Sequence, residues 1–387
     1  MAAFSISHRD PSSKARAGVL MTPHGPIETP VFMPVGTQGT VKTMGSEDMS
    51  AMECKILLSN TYHLFLRPGL ETLLKAGGLH KFMAWPGAIL TDSGGYQVFS
   101  LASRCELSEE GVNFHSHVDG QKRKLTPEIA TDFQLLIGAD IAMCLDELPP
   151  YPSLKGDAEK SMEMTLRWAK RCKGSYEGFL NSKFQVTNSK LEAKPLLFGI
   201  TQGANFPDLR KESSRRTVEI DFPGYAIGGL GVGETKEEMW QFLEASVEPL
   251  PEDKPRYMMG IGMPEDMWDG VERGVDMFDC VLPTRNGRNG QAFTSRGKVN
   301  VTNGVYKEDF SPLDPDCSCP TCVQYTRAYL CHLFRAGELL GPRLVTLHNL
   351  RFMLGLLRSI RNSIIHGNFR AEKQKFLAQY NPKKLAS

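Results

Sequence analysis

A chain of 387 residues, 41% hydrophobic and 23% charged, with 36 glycines and 24 prolines, has the composition of a folded globular protein and not of a disordered or fibrous one. No apolar run approaches the ~20 residues of a membrane-crossing helix, and the N-terminus lacks the basic start and apolar core of a secretory signal, so a soluble cytoplasmic protein is expected. The net charge is only +1 but unevenly spread: Lys and Arg outnumber Asp and Glu by 16 to 6 from Cys280 onward, against 29 to 38 before it, which suits a polyanionic partner at one end.

In chain order, eight short apolar runs stand between Gly, Pro, Ser and Asp: Pro30–Val35, Lys55–Ser59, Ala88–Asp92, Asp140–Asp146, Pro195–Gln202, Tyr225–Leu230, Arg256–Gly260 and Met277–Leu282. Continuous rather than alternating apolar runs indicate strands buried on both faces of a parallel sheet. Segments of helical period lie between them, at Pro68–Phe82, Ala158–Cys172, Phe206–Ile220, Thr235–Val247 and Pro264–Gly274. Strand and helix alternating eight times predict a (β/α)8 TIM barrel, with an open doubly wound sheet as the alternative.

Two stretches break the rhythm. Within Ser100–Lys124, Val112-Asn-Phe-His-Ser-His-Val followed by Asp119-Gly reads as a β-hairpin insertion. Between Arg285 and His348 lie another hairpin, Ala292–Val301, a helix at about Val323–Gly337, and a cysteine cluster; a further helix at about Asn349–Ile365 follows. The expected organisation is a barrel body over 1–284, a zinc-binding subdomain over 285–348 and a C-terminal helical segment over 349–387 packing on the barrel.

Of nine cysteines, Cys54, Cys105, Cys144, Cys172 and Cys280 are scattered singly, as small hydrophobes in a reducing compartment are. Cys317-Ser-Cys319-Pro-Thr-Cys322 is different, because C-x-C-x2-C is metal-ligand spacing. Three thiolates and one imidazole make a closed tetrahedral zinc shell. Cys331, His332 and His348 compete for the fourth place.

Polar residues also fall at the ends of the predicted strands, which converge on one barrel mouth. Asp92 ends the third run, Asp146-Glu147 the fourth, Gln202 the fifth and Gly228-Gly229 the sixth; Tyr257 and Met259 lie in the seventh and Asp279 in the eighth. Gathered carboxylates suit work on a glycosidic bond, one attacking the anomeric carbon while another moves protons. Glycine pairs that do not fit G-x-G-x-x-G suit close backbone approach to a flat ligand rather than a dinucleotide. Thr284-Arg285-Asn-Gly-Arg288-Asn-Gly reads as a basic loop able to grip phosphates.

The chain resembles the tRNA-guanine transglycosylase family, of bacterial type, over nearly its whole length. The resemblance rests on Thr29-Pro-Val-Phe-Met-Pro-Val-Gly36, Ser59-Asn-Thr-Tyr-His-Leu64, Leu90-Thr-Asp-Ser-Gly-Gly-Tyr-Gln-Val98, Gly224-Tyr-Ala-Ile-Gly-Gly-Leu230, Asp276-Met-Phe-Asp-Cys-Val-Leu-Pro-Thr-Arg285 and the Cys317 cluster. It implies an enzyme, a pentosyltransferase, that exchanges the wobble guanine of GUN-anticodon tRNAs (those for Asp, Asn, His and Tyr) for preQ1, the base being flipped out of the anticodon loop. It further implies Asp279 as nucleophile and Asp92 as general acid/base. Asp146, Gln202, Gly229 and Leu230 would meet the edge of the base, with Tyr96 and Met259 sandwiching its ring. Arg285 and Arg288 would hold RNA, and Cys317, Cys319, Cys322 and His348 one structural Zn2+. A homodimer is implied as the working unit. Leu148 and Gly231 stand where bacterial members usually have Cys and Ala or Ser, whereas Val232 is bacterial-like and favours preQ1. The alternatives are a queuine-inserting enzyme and a non-catalytic tRNA-binding partner subunit; the latter would be expected to lose the acids.

Overall fold

A computed structural model of the chain describes residues 3–101, 105–182 and 193–380. Strands β1 (Phe4–Arg9), β2 (Arg16–Thr22) and β3 (Gly25–Thr29) form an antiparallel meander. Eight strands then run parallel: β4 (Val31–Pro34), β5 (Ile56–Ser59), β6 (Ala88–Thr91), β10 (Ile141–Met143), β11 (Leu196–Thr201), β12 (Gly224–Ile227), β13 (Arg256–Met258) and β14 (Met277–Cys280). Each pairs with the next, β14 pairs with β4, and a bridge between Val35 and Leu58 joins β4 to β5. The ring is therefore closed: the chain is a (β/α)8 barrel, and the open sheet is excluded. Seven of the eight barrel strands fall within the apolar runs, and β12 begins one residue ahead of its run, at Gly224. Strands β7 (Cys105–Ser108), β8 (Gly111–His115) and β9 (Lys122–Leu125) form the inserted sheet, which has one strand more than the expected hairpin. The hairpin β15 (Gln291–Thr294) and β16 (Gly297–Asn300) follows the barrel.

Strand alternation sorts side chains between two cores. Met33, Ile56, Leu58, Ala88, Leu90, Ile141, Met143, Phe198, Ile200, Ala226, Tyr257 and Met277 fill the barrel interior. Their neighbours Phe32, Leu57, Ile89, Ala142, Leu197, Ile227, Met258 and Phe278 pack outward under the helices. Period two then carries the interior face from Leu90 to Asp92, from Ile200 to Gln202, from Tyr257 to Met259 and from Met277 to Asp279. Polar side chains reach the mouth on the same register that buries the apolar ones below.

The N-terminal meander was not anticipated: β2 carries an apolar run, Ala17–Met21, but its partners are half-exposed and lack one, β1 being buried only at its first residue. Phe4, Leu20 and Ile27 join the interior cluster, so the meander closes the N-terminal end of the barrel. Two fully buried carboxylates at strand starts pin it there. Asp276 accepts from Arg16 at 2.9 and 2.5 Å, and Asp140 accepts from the backbone and ring of His24, the ring of His80 and the Ile89 N–H.

Three further readings are corrected. The expected helix Pro68–Phe82 is two short ones, Leu70–Lys75 and Leu79–Met83, broken where Gly77 and Gly78 take positive φ. Arg285 and Arg288 lie on a helix, Leu282–Arg288, rather than in a loop. Gly287 is accommodated there because its bare Cα packs on Thr346, where a Cβ would stand 2.7 Å from that residue's backbone. The last long helix begins at Leu340, not Asn349, since Pro342 in a first turn does not break it. Among the described residues, no helix is long and apolar enough to cross a membrane.

Candidate active site and candidate metal centre

Asp279 sits on β14 with its Oδ1 accepting from the Tyr257 hydroxyl at 2.6 Å and from the Gly260 N–H at 2.8 Å. Its other oxygen, Oδ2, makes no hydrogen bond within the described residues. One oxygen is fixed while the other remains free toward the mouth. Burial raises the Asp279 carboxyl above its usual range, and the bonds from Tyr257 and Gly260 oppose the rise. Tyr257 is pushed well up by burial and by the Asp279 charge, so it remains a neutral donor.

Asp92, just past β6, is held by three donors, two where the chain leaves β5 for the helix Thr61–Leu66 and one on the helix Gly95–Leu101. Its Oδ2 accepts from the side chains of Asn60 and Gln97, and its Oδ1 from the Thr61 N–H at 2.9 Å. Burial pushes its carboxyl up to about 6 against those bonds, and the Asp279 charge adds to the rise. The two acids therefore sense each other across the mouth. Asp146 follows β10 and accepts from Gln202 Nε2 at 2.7 Å and from Ser93 Oγ at 3.2 Å. Burial raises its carboxyl too. Beside it, burial and the Asp146 charge push Glu147 up to about 7, and its Oε2 has no partner. The acids at 92, 146 and 279 keep 7, 9 and 9% of their surface, so a ligand can reach them but bulk water hardly does.

The glycines make room for this arrangement. A Cβ on Gly95 would stand 2.7 Å from the Asp146 carbonyl, and one on Gly229 would stand 2.8 Å from Gln202 Oε1 and 3.1 Å from Leu148. Gln202 Oε1 is buried without a partner. Leu230 is buried, Met259 packs partly against the interior core, and Tyr96 stands 58% exposed at the start of the helix Gly95–Leu101. Arg285 is exposed and Arg288 half-buried with its Nη1 unpartnered; the helix carrying both leaves directly from β14.

Sequence reasoning missed the donors that hold these acids, namely Asn60, Thr61, Gln97, Ser93 and Gly260. Asn60 and Thr61 form a polar pair directly after β5, a strand-end signal of the kind that marked the acids. Nothing in the sequence joined Gln97 to Asp92. Glu234 was also missed; its carboxylate collects the N–H groups of Gly231, Val232 and Gly233 and so shapes the loop after β12.

Some distance along the chain, Cys317, Cys319, Cys322 and His348 bring their ligand atoms within 4.8 Å of one another. His348 Nδ1 lies 3.5 Å from Cys319 Sγ and 3.3 Å from Cys322 Sγ. A tetrahedral zinc shell has S···N edges of about 3.5 Å. The other ring nitrogen, Nε2, donates to the Phe293 carbonyl at 2.6 Å, which fixes the tautomer and leaves Nδ1 free for a metal. The donor set therefore fits one metal ion. Cys331 instead donates to the Asn303 carbonyl, and His332 is exposed against Tyr329, so neither supplies the fourth ligand. The surrounding core is small, built from Ala292, Val301, Leu313, Leu330, Leu333, Leu344 and Val345 with the cysteines.

The sequence profile described as queuine tRNA-ribosyltransferase matches residues 10–382. Proteins of that name are close relatives. That of Caldanaerobacter subterraneus subsp. tengcongensis is 52% identical over 377 residues, 97% of either chain. That of Thermoanaerobacter pseudethanolicus is 52% identical over 380 residues, 98% of either chain. That of Pelotomaculum thermopropionicum is 52% identical over 377 residues, 97% of this chain and 98% of its own.

Proposed function

The chain belongs to the queuine tRNA-ribosyltransferase family, and from that premise we propose that it is a tRNA-guanine transglycosylase, replacing the wobble guanine of GUN-anticodon tRNAs with preQ1. The observation that carries this reading is the Asp279 carboxylate, pinned through one oxygen and free through the other, at a mouth that also holds Asp92 and the Asp146–Gln202 pair.

In the first displacement, Asp279 Oδ2 attacks the ribose anomeric carbon as the bond to guanine breaks and its electron pair leaves with the base. Asp92 gives a proton to the departing base. The incoming base returns that proton to Asp92, attacks the same carbon and displaces the carboxylate, so configuration is retained. A carboxyl near 6 can hold or release a proton close to neutrality, which suits Asp92 to both directions. Asp146 accepts from the N–H edge of the base, Gln202 and the Gly229 N–H donate to its carbonyl side, Leu230 borders it, and Tyr96 and Met259 sandwich the ring. Arg285 and Arg288 hold the RNA.

Cys317, Cys319, Cys322 and His348 hold one Zn2+, whose part is structural: four protein ligands leave no open coordination position. The working unit is a cytoplasmic homodimer, for which sedimentation of the active species is the check; an active monomer would contradict it. Leu148 against Gly229 narrows the pocket, so preQ1 is preferred over queuine, overpacking typically costing about 1–3 kcal/mol. The test is exchange of radiolabelled guanine into unmodified GUN-anticodon tRNA, chased with each base. Incorporation with higher kcat/KM for preQ1 is expected. Equal efficiency for both would overturn the preference, and no exchange the function.

A further inference from the structure

Arg210 has no part in the chemistry described above, yet it is fully buried. It lies on the helix Pro207–Glu219 that packs outside the barrel. Among the described residues it forms no salt bridge. Its three kinds of nitrogen all donate to backbone carbonyls instead: Nε to Ala204 at 2.6 Å, Nη1 to Gly228 at 3.0 Å and Nη2 to Gly229 at 2.5 Å. The guanidinium also lies over the Phe242 ring at 5.3 Å. Burying a cation without a carboxylate costs several kcal/mol, so a purely structural brace would be served as well by a neutral donor.

What the three bonds do follows from peptide geometry. A trans peptide carries its C=O and N–H on opposite sides. With the Gly228 and Gly229 carbonyls both turned onto Arg210, the N–H groups of Gly229 and Leu230 face away from the guanidinium; Gln202, which donates to Asp146, lies against both glycines. Successive peptides of an extended strand would alternate; here they align because Gly229 sits at φ 63°, a left-handed conformation that glycine adopts without penalty. Two adjacent N–H groups aimed the same way form an anion-binding nest. Neither N–H has an acceptor among the described residues, whereas those of Gly231, Val232 and Gly233 are all taken by Glu234.

We propose that Arg210 is a positioning residue for base exchange, turning the Gly229 and Leu230 N–H groups toward the purine carbonyl and placing a buried positive charge behind them as negative charge builds on the departing base. This inference rests on the proposed function and deepens it. Burial lowers the guanidinium only to about 10, so it remains charged at working pH.

The experiment compares the unaltered chain with Arg210→Lys, which keeps a cation in the cavity but lacks the fork, and Arg210→Gln, which keeps donors without charge. Guanine exchange is measured, together with inhibition by 2-aminopurine, a base lacking the carbonyl. In both variants guanine is expected to bind about tenfold more weakly and kcat to fall, while 2-aminopurine inhibition changes less than about twofold and the melting temperature moves by only a few degrees. Equal weakening for the two bases, unchanged guanine binding, or failure of both variants to fold would reduce Arg210 to a brace and overturn the proposal. Absence of exchange in the unaltered chain would instead overturn the proposed function.

Discussion

Asp92 is the residue whose setting makes the sharpest claim about pH. Its carboxyl, ordinarily at 3.8, is pushed to about 6 chiefly by burial. Between those values the folded chain binds the proton more tightly than the unfolded one, so its contribution to stability declines as pH rises through that window. Asp92→Asn should therefore melt higher than the unaltered chain above pH 6, by up to about 3 kcal/mol, with the difference fading toward pH 4. The same variant should slow exchange and lose the acid limb near pH 6, because the protonated acid cannot take the incoming base's proton. Melting curves and pH–rate profiles of the pair check both; an unshifted melting difference across that range would show that burial does not set this group. The acids at strand ends were legible in the sequence because strand period two carries them onto the interior face. The donors holding them were not, since Asn60 and Tyr257 reach Asp92 and Asp279 from neighbouring strands' ends and Gln97 reaches Asp92 from the helix Gly95–Leu101.

At the scale of elements, the eight barrel strands were legible because strands covered on both faces leave continuous apolar runs. The meander β1–β3 was not, because β1 and β3 are half-exposed and leave no continuous apolar run, and the helix Leu282–Arg288 was hidden by glycines that read as a turn. The cysteine cluster announced itself by spacing, but its fourth ligand needed three dimensions: His348 lies on the long helix Leu340–Ile365, whose packing brings Nδ1 to the thiols. The core around those thiols is too small to stand alone. Cys319→Ser, or removal of the metal with a strong chelator, should unfold the region from about Gln291 to Ala336, since structural zinc contributes on the order of 10 kcal/mol. Metal analysis should find one zinc per chain, and well under one in a folded, active preparation would contradict the assignment.

For the whole molecule, the charge asymmetry has two uses that the sequence could not separate. Part of the C-terminal positive charge clamps helices onto the acidic body: Arg343 pairs with Asp48, Arg358 with Glu53, Arg361 with Glu28, and Lys373 with Asp269 and Glu272. Arg285 and Arg288 have no such carboxylate among the described residues and remain available to RNA. The affinity for tRNA should fall roughly tenfold or more from about 50 to about 200 mM salt, and Arg285→Ala should weaken all four cognate tRNAs alike while flattening that dependence. Binding assays at several salt concentrations decide it; a salt-independent affinity would remove the electrostatic account.

Whether Asp279 forms the covalent bond to the tRNA ribose is measured most directly by mass-spectrometric mapping of the protein–tRNA complex trapped with 9-deazaguanine. A denaturation-resistant adduct linked to Asp279 is expected, absent from Asp279→Asn although that variant still binds tRNA, because a neutral amide is a poor nucleophile. Linkage to Asp92, or no linkage to any aspartate, would contradict it.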